Sequence, residues 1–77
     1  MQPSEAAVVT GASSGIGEAC ARKLLDQGVA VITLQRSPPR LQHPNLHFRK
    51  IDLADLPATQ ALAREIAAEF PVRYLVN

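Results

Sequence analysis

The sequence predicts an α/β fold, a doubly wound parallel sheet of which this chain carries the N-terminal half, about four strands and two main helices. Three observations lead there. Ala6-Ala7-Val8-Val9 and Val29-Ala30-Val31-Ile32-Thr33-Leu34 are aliphatic runs without polar alternation, the pattern of strands buried on both faces. A glycine-serine cluster and then apolar residues at helical spacing separate them, which makes a βαβ unit. In 77 residues with 47% hydrophobic content, 4% aromatic content and no Trp, the core must be built from Ala, Val, Ile and Leu, which suits a compact α/β layer.

The elements follow in order. The first strand ends abruptly at Thr10-Gly11. The first helix is expected from about Gly15 to Gln27, with Ile16, Ala19, Cys20 and Leu24 on its apolar side, Glu18, Arg22 and Asp26 turned elsewhere, and Gly28 as a left-handed C-cap. After the second strand, Ser37-Pro38-Pro39-Arg40 forces a turn, because each proline removes a ladder donor and fixes φ. Leu46 to Ile51 resumes an extended pattern after only about ten residues, the short limit of a parallel crossover, so at most one helical turn is expected near Arg40. Asp55 reads as an N-cap, Pro57 is tolerated in the first turn, and Leu62, Ala63, Ile66, Ala67 and Phe70 mark the apolar face of a second helix that Pro71 stops. Val72, Tyr74, Leu75 and Val76 open a fourth strand, cut off at Asn77. Residues 1–77 therefore read as one partial domain, truncated at the end of that strand.

Composition excludes several classes of function. The longest apolar run is far too short for a bilayer, which needs about 20 residues. The N-terminus lacks the basic region of a secretory signal, and the single Cys20 cannot form an internal bridge, so the cytoplasm is the default location. A formal charge of +1 gives no general reason to expect nucleic acid or an acidic membrane as a partner. His43 and His47 are four apart, but Pro44 lies between them and no Cys or carboxylate joins a metal-binding cluster. Cys20 reads as a small core hydrophobe.

The chemistry is concentrated in Thr10-Gly11-Ala12-Ser13-Ser14-Gly15-Ile16-Gly17, between a buried strand and a helix. A helix start presents unpaired backbone N–H groups and about half a positive charge, which hold a phosphate or diphosphate without a cationic side chain. Gly11 permits the sharp turn, Gly15 allows close backbone approach to a ligand, and Gly17 lets the helix lie against the sheet. Ser13 and Ser14 add hydroxyl donors. A strand-to-helix turn with no ligand is the bland alternative.

These residues resemble the short-chain dehydrogenase/reductase family, whose T-G-x-x-x-G-x-G motif is matched at Thr10, Gly11, Gly15 and Gly17. The resemblance extends along almost the whole chain: Asp52-Leu53 falls where that family has an acidic residue near the adenine, and Leu75-Val76-Asn77 is similar to the start of its N-N-A-G segment. It implies a Rossmann-like, NAD(P)-binding domain, with Gly11, Ser13, Ser14, Gly15, Ile16, Gly17, Gln35, Arg36, Asp52, Leu53 and Asn77 on the coenzyme side. An Asp at a strand end also commonly caps backbone, and Asn77, as the last residue, is prone to fray. The family's catalytic Ser, Tyr and Lys, the latter two in Y-x-x-x-K, all lie beyond Asn77. The chain is thus expected to have no turnover and no catalytic residue of its own, and Tyr74 reads as packing. The resemblance implies a longer parent, homo-oligomeric, acting on a small carbonyl or alcohol substrate. A non-catalytic nucleotide-binding or interaction fragment is the alternative.

Charge at the end of the second strand bears on the coenzyme. A fold preferring NAD places Asp or Glu there for the ribose hydroxyls. This chain has Gln35, 18 residues beyond Gly17, and then Arg36. A neutral amide removes repulsion toward a 2′-phosphate and a guanidinium grips it, so NADP is favoured over NAD, unless Arg36 is simply a solvated loop residue. Gly11-Ala12-Ser13-Ser14-Gly15 also fits G-x-S-x-G, the nucleophile elbow of α/β-hydrolases, with Ser13 as nucleophile. That rival needs an acid and then a His after the serine, and only His43 and His47 are on offer, in or beside a proline-rich loop. A Walker A loop fails because Glu18, not Lys, follows Gly17.

Overall fold

In the computed structural model, which describes residues 4–12 and 15–76, the elements run β1 (Ala6–Thr10), α1 (Gly15–Asp26), β2 (Ala30–Gln35), β3 (Leu46–Lys50), α2 (Leu56–Glu69) and β4 (Val72–Val76). All strand pairs are parallel, in the order β3-β2-β1-β4. The expected α/β sheet is therefore present, with the two aliphatic runs at its centre. β2 is buried at every residue, and in β1 Ala6, Ala7 and Val9 are fully enclosed. Strands sandwiched between two helical layers have no wet face, which is why neither run alternates.

Alternation along each strand splits the core in two. Ala6, Ala30, Ile32 and Leu34 point to one face, where Ile51 and Ile66 complete a cluster with Leu62 and Phe70 of the α2 side. Val9 and Val31 point to the other, against Ala12, Ala21 and Leu25, with Leu41 from the β2–β3 connection laid over them. α2 starts where expected: the Asp55 carboxylate accepts the Ala58 N–H at 3.1 Å, and Pro57 sits in the first turn. Phe70 caps its end through an N–H to the Ile66 carbonyl at 2.9 Å, and the Phe70 ring meets His47 at 4.9 Å between centroids.

Residues 36–45 cross in irregular backbone, within the expected limit of at most one helical turn near Arg40, and Leu41 supplies an apolar contact to the core. Two expectations need correction. The buried face of α1 is Ala21 and Leu25, flanked by Leu24 and Cys20, whereas Ala19 is exposed and Ile16 is 83% exposed. Gly17 sets this rotation, because it is the residue that touches the turn after β1, and residues 21, 24 and 25 lie on its side of a 3.6-residue helix. Tyr74 is 44% exposed on an edge strand and donates its hydroxyl to Glu5 Oε2 at 3.2 Å, so it is not a packing residue. The β1–β4 ladder also shifts register, pairing Ala6 with Val72 but Ala7 with Tyr74, so Arg73 is bulged out.

Two buried polar atoms lack a hydrogen-bond partner among the described residues, Glu18 Oε2 and the Thr33 hydroxyl. Thr33 is 0% exposed. An enclosed, unpaired hydroxyl costs about 1–3 kcal/mol, so Thr33→Val should stabilise the chain by about 1 kcal/mol in urea denaturation. Asp55→Ala, which removes the cap of α2, should cost about 1 kcal/mol by the same measurement.

Candidate functional site

In a parallel sheet the C-terminal ends of neighbouring strands open on one edge, and open α/β sheets bind ligands there, outside the strand ends. At that edge β1, β2 and β3 leave a cleft of about 370 Å³ lined by Gly11, Leu34, Gln35, Arg36, Asp52 and Leu53, with Ser37, Ile51 and Ala54 at its margin. This volume falls at the lower end of small-molecule pockets, roughly 300–1,000 Å³. Gly11, Gln35, Arg36, Asp52 and Leu53 are thus brought together from three loops far apart in sequence. Gly15, Ile16 and Gly17 form the first turn of α1 and are not among the residues that line the cleft. Ser13, Ser14 and Asn77 lie outside the described residues.

The turn is shaped by close approach. Gly17 rests against the chain leaving β1: a Cβ there would be driven into the Gly11 carbonyl oxygen, with the carbonyl carbon at 3.0 Å and Ala12 Cα at 3.3 Å. All three obstacles are backbone and cannot rotate away. Gly15 has φ +62°, left-handed backbone that costs a side-chain-bearing residue about 1–2 kcal/mol, although a Cβ there would meet nothing within 4 Å. Gly17 is needed for contact and Gly15 for conformation. The first-turn N–H groups of α1 lack intrahelical acceptors, as at any helix start, and the Ile16 side chain is exposed.

The cleft side chains divide into engaged and free. The Gln35 amide is used at both ends: Oε1 accepts the Ala12 N–H at 2.8 Å, and Nε2 donates to the Ser37 carbonyl at 2.6 Å. Ala12 and Ser37 are members of the site that the sequence reading missed, and no local pattern marks a contact spanning 23 residues. Asp52 Oδ1 accepts the Ala54 N–H at 3.0 Å, so this residue does cap a turn, as its competing reading held, while also lining the cleft. Arg36 is exposed and forms no ion pair among the described residues, whereas Arg22, Arg40, Arg49 and Arg73 each face a carboxylate.

The whole arrangement, a glycine turn into α1, an acidic residue after β3 and a parallel 3-2-1-4 sheet, has a counterpart among known proteins. The short chain dehydrogenase model matches residues 5–77. The chain belongs to the short-chain dehydrogenase family. It is similar to the uncharacterized oxidoreductase DltE of Bacillus subtilis, 40% identical over 76 residues that cover 91% of this chain and 30% of that protein. It is also similar to polyprenol dehydrogenase of Mus musculus, 34% identical over 88 residues covering 99% of this chain and 26% of that protein. Among solved structures it resembles a variant of actinorhodin polyketide ketoreductase with NADPH, at 29% identity and a TM-score of 0.78, covering 100% of this chain and 33% of the other. A mutant 4-hydroxyisoleucine dehydrogenase complexed with NADH and succinate matches at 29% identity and a TM-score of 0.72, over 83% of this chain and 28% of the other. This short-chain dehydrogenase sequence spans 30% and 26% of the first two relatives' own lengths.

Family membership and geometry together leave no support for the hydrolase alternative. His43 lies before β3, at the sheet edge opposite the glycine turn, with Nδ1 accepting the Asn45 N–H at 3.0 Å, and His47 is stacked on Phe70. Among the described residues no group of three or more His, Cys, Asp or Glu side chains could hold a metal ion, and no helix is long and apolar enough to cross a membrane. A larger cavity of about 520 Å³ opens under α2, lined by Val8, Leu34, Ala63, Ile66 and Leu75 among others; it is apolar and carries no charged residue.

The Gly17 contact is directly testable. Gly17→Ala should lower stability by about 1–3 kcal/mol in chemical denaturation, since a methyl group forced against backbone has no rotamer escape. Ala19→Ser, on the exposed face of α1, should change it by less than about 0.5 kcal/mol.

Proposed function

We propose that this chain is the adenine-side, coenzyme-binding part of a short-chain oxidoreductase acting on a carbonyl/alcohol pair, and that it takes NADP in preference to NAD. The observation carrying the reading is the cleft itself: Gly11 of the turn that leads into α1, an uncommitted Arg36 and Asp52 converge on one edge of the sheet. The residues fit a dinucleotide. The first-turn amides of α1 suit a diphosphate, Arg36 suits a 2′-phosphate, and Asp52, Leu53 and Ile51 offer one polar and two apolar surfaces to an adenine. When bound, the nicotinamide coenzyme supplies or accepts the hydride. This chain's own residues bind and orient the adenosine and phosphates.

Turnover is assigned elsewhere. The single tyrosine, Tyr74, is on the strand β4 with its hydroxyl on Glu5. Substrate choice, oligomerisation and hydride transfer then belong to the part of the relatives that this sequence does not span, and a cytoplasmic setting accords with the free Cys20. A second reading, a non-catalytic fragment that associates with other chains, draws on the β4 edge, where Tyr74 and the 68% exposed Leu75 stand out.

Calorimetry on the 77-residue chain should show tighter binding of NADP than of NAD. Arg36→Ala should weaken NADP roughly ten- to a hundredfold and leave NAD within about twofold, the scale of hydrogen bonds to charged groups. Equal affinities in the parent chain would overturn the NADP assignment. Oxidation of NADPH with any aldehyde or ketone would overturn the absence of turnover.

A further inference from the structure

Gln35 does something that neither its position in the motif order nor the coenzyme reading requires. It is the last residue of β2 and only 8% exposed. Its side-chain carbonyl holds the Ala12 N–H of the turn after β1, its side-chain amine holds the Ser37 carbonyl of the loop after β2, and its backbone carbonyl accepts the Ile51 N–H at 3.0 Å from the end of β3. One residue joins all three chain segments that wall the cleft.

We propose that Gln35 is a positioning residue that locks the diphosphate turn in its binding shape, rather than a group that reads the ribose. The proposal rests on the coenzyme-site reading above and adds to it. One Nε2 hydrogen is spent on Ser37 and one Oε1 lone pair on Ala12, which fixes the plane of the Gln35 head against the protein and leaves ribose recognition chiefly to Arg36 and Asp52. The Ala12 N–H is likewise taken, so the phosphate oxygens are left to the first-turn amides of α1. The lock sets where those amides sit, because Ala12 is adjacent to Gly11 and both touch Gly17. The task selects the residue type. Holding the Ala12 N–H needs an acceptor at this reach, which glutamate keeps, asparagine is one methylene too short to place, and leucine lacks; the amide donor adds the tie to Ser37. A turn held in place before the ligand arrives binds more tightly than one that must be ordered on binding.

The test compares the parent chain with Gln35→Leu and Gln35→Glu, using NAD as the probe because it has the diphosphate but no 2′-phosphate to confuse the reading. Gln35→Leu should weaken NAD about tenfold in calorimetry, and Gln35→Glu, which keeps the acceptor facing Ala12, should hold NAD at or above the parent's affinity. Amide hydrogen exchange supplies a readout independent of any ligand. The Ala12 N–H should be protected in the parent and in Gln35→Glu, and should exchange about tenfold faster or more in Gln35→Leu while Val31 and Ile32 stay protected. Continued protection of Val31 and Ile32 shows that the variant is folded. Unchanged NAD affinity in folded Gln35→Leu, an equal loss in Gln35→Glu, or an unprotected Ala12 amide in the parent would each overturn the lock while leaving the coenzyme reading intact. Failure of the parent to bind either dinucleotide would overturn both.

Discussion

The contact of Gly17 with the Gly11 carbonyl and the Ala12 backbone is the constraint on which the rest of the molecule depends. It fixes how closely the start of α1 approaches the end of β1, and it also fixes the helix's rotation, since only a residue without a Cβ can face that carbonyl. Once Gly17 is placed, Ala21 and Leu25 fall on the sheet and Ile16 falls outside it. The start of α1 then follows directly on the turn whose Gly11 lines the cleft. Packing and ligand geometry are two results of one steric fact.

The electrostatics of that helix start are correspondingly managed. Glu18 lies in the first turn of α1, where a carboxylate is favoured by the partial positive charge of the helix end but would repel an incoming anion. Arg22 stands 3.2 Å from its Oε1 and Arg40 3.7 Å from its Oε2. Two guanidiniums on one carboxylate leave the neighbourhood net positive, and the Arg40 pair also moors the helix-free β2–β3 crossover to α1. Each such pair on a surface is worth little by itself, about 0.2–1 kcal/mol, so its role here is to set the sign of the local field more than to hold the fold.

How much of this was legible in the sequence depends on how local each signal was. β1, β2 and the capped start of α2 could be read directly, because aliphatic runs and Asp55 three residues before Ala58 act within a few positions. Gly11 and Arg36 could be placed at strand ends from the aliphatic runs that precede them, and Asp52 through the family resemblance; the parallel sheet brings all three to one edge. What escaped was non-local. The apolar face of α1 was taken from Ile16 and Ala19 because spacing alone cannot say which side a helix turns inward; a backbone contact made that choice. Gln35 reads as a ligand-facing amide because its partner Ala12 lies across the sheet edge, and the Tyr74 hydroxyl finds its partner, Glu5, 69 residues away in sequence.

The displaced Arg73 of β4 decides which layer each later side chain joins. Had Ala7 paired with Arg73 in unbroken sequence, Leu75 would stand opposite Val9 on the side of α1, and Val76 would have faced the other way. The one-residue slip pairs Leu75 with Val8 and Val76 with Val9 instead. Val76 consequently packs with Leu25 and Val31, and Leu75 reaches the hollow beneath α2. Sheet parity in this molecule is set by an insertion rather than by the composition of the strand, and a shortened β4 would exchange its inner and outer aliphatic neighbours without altering a single side chain.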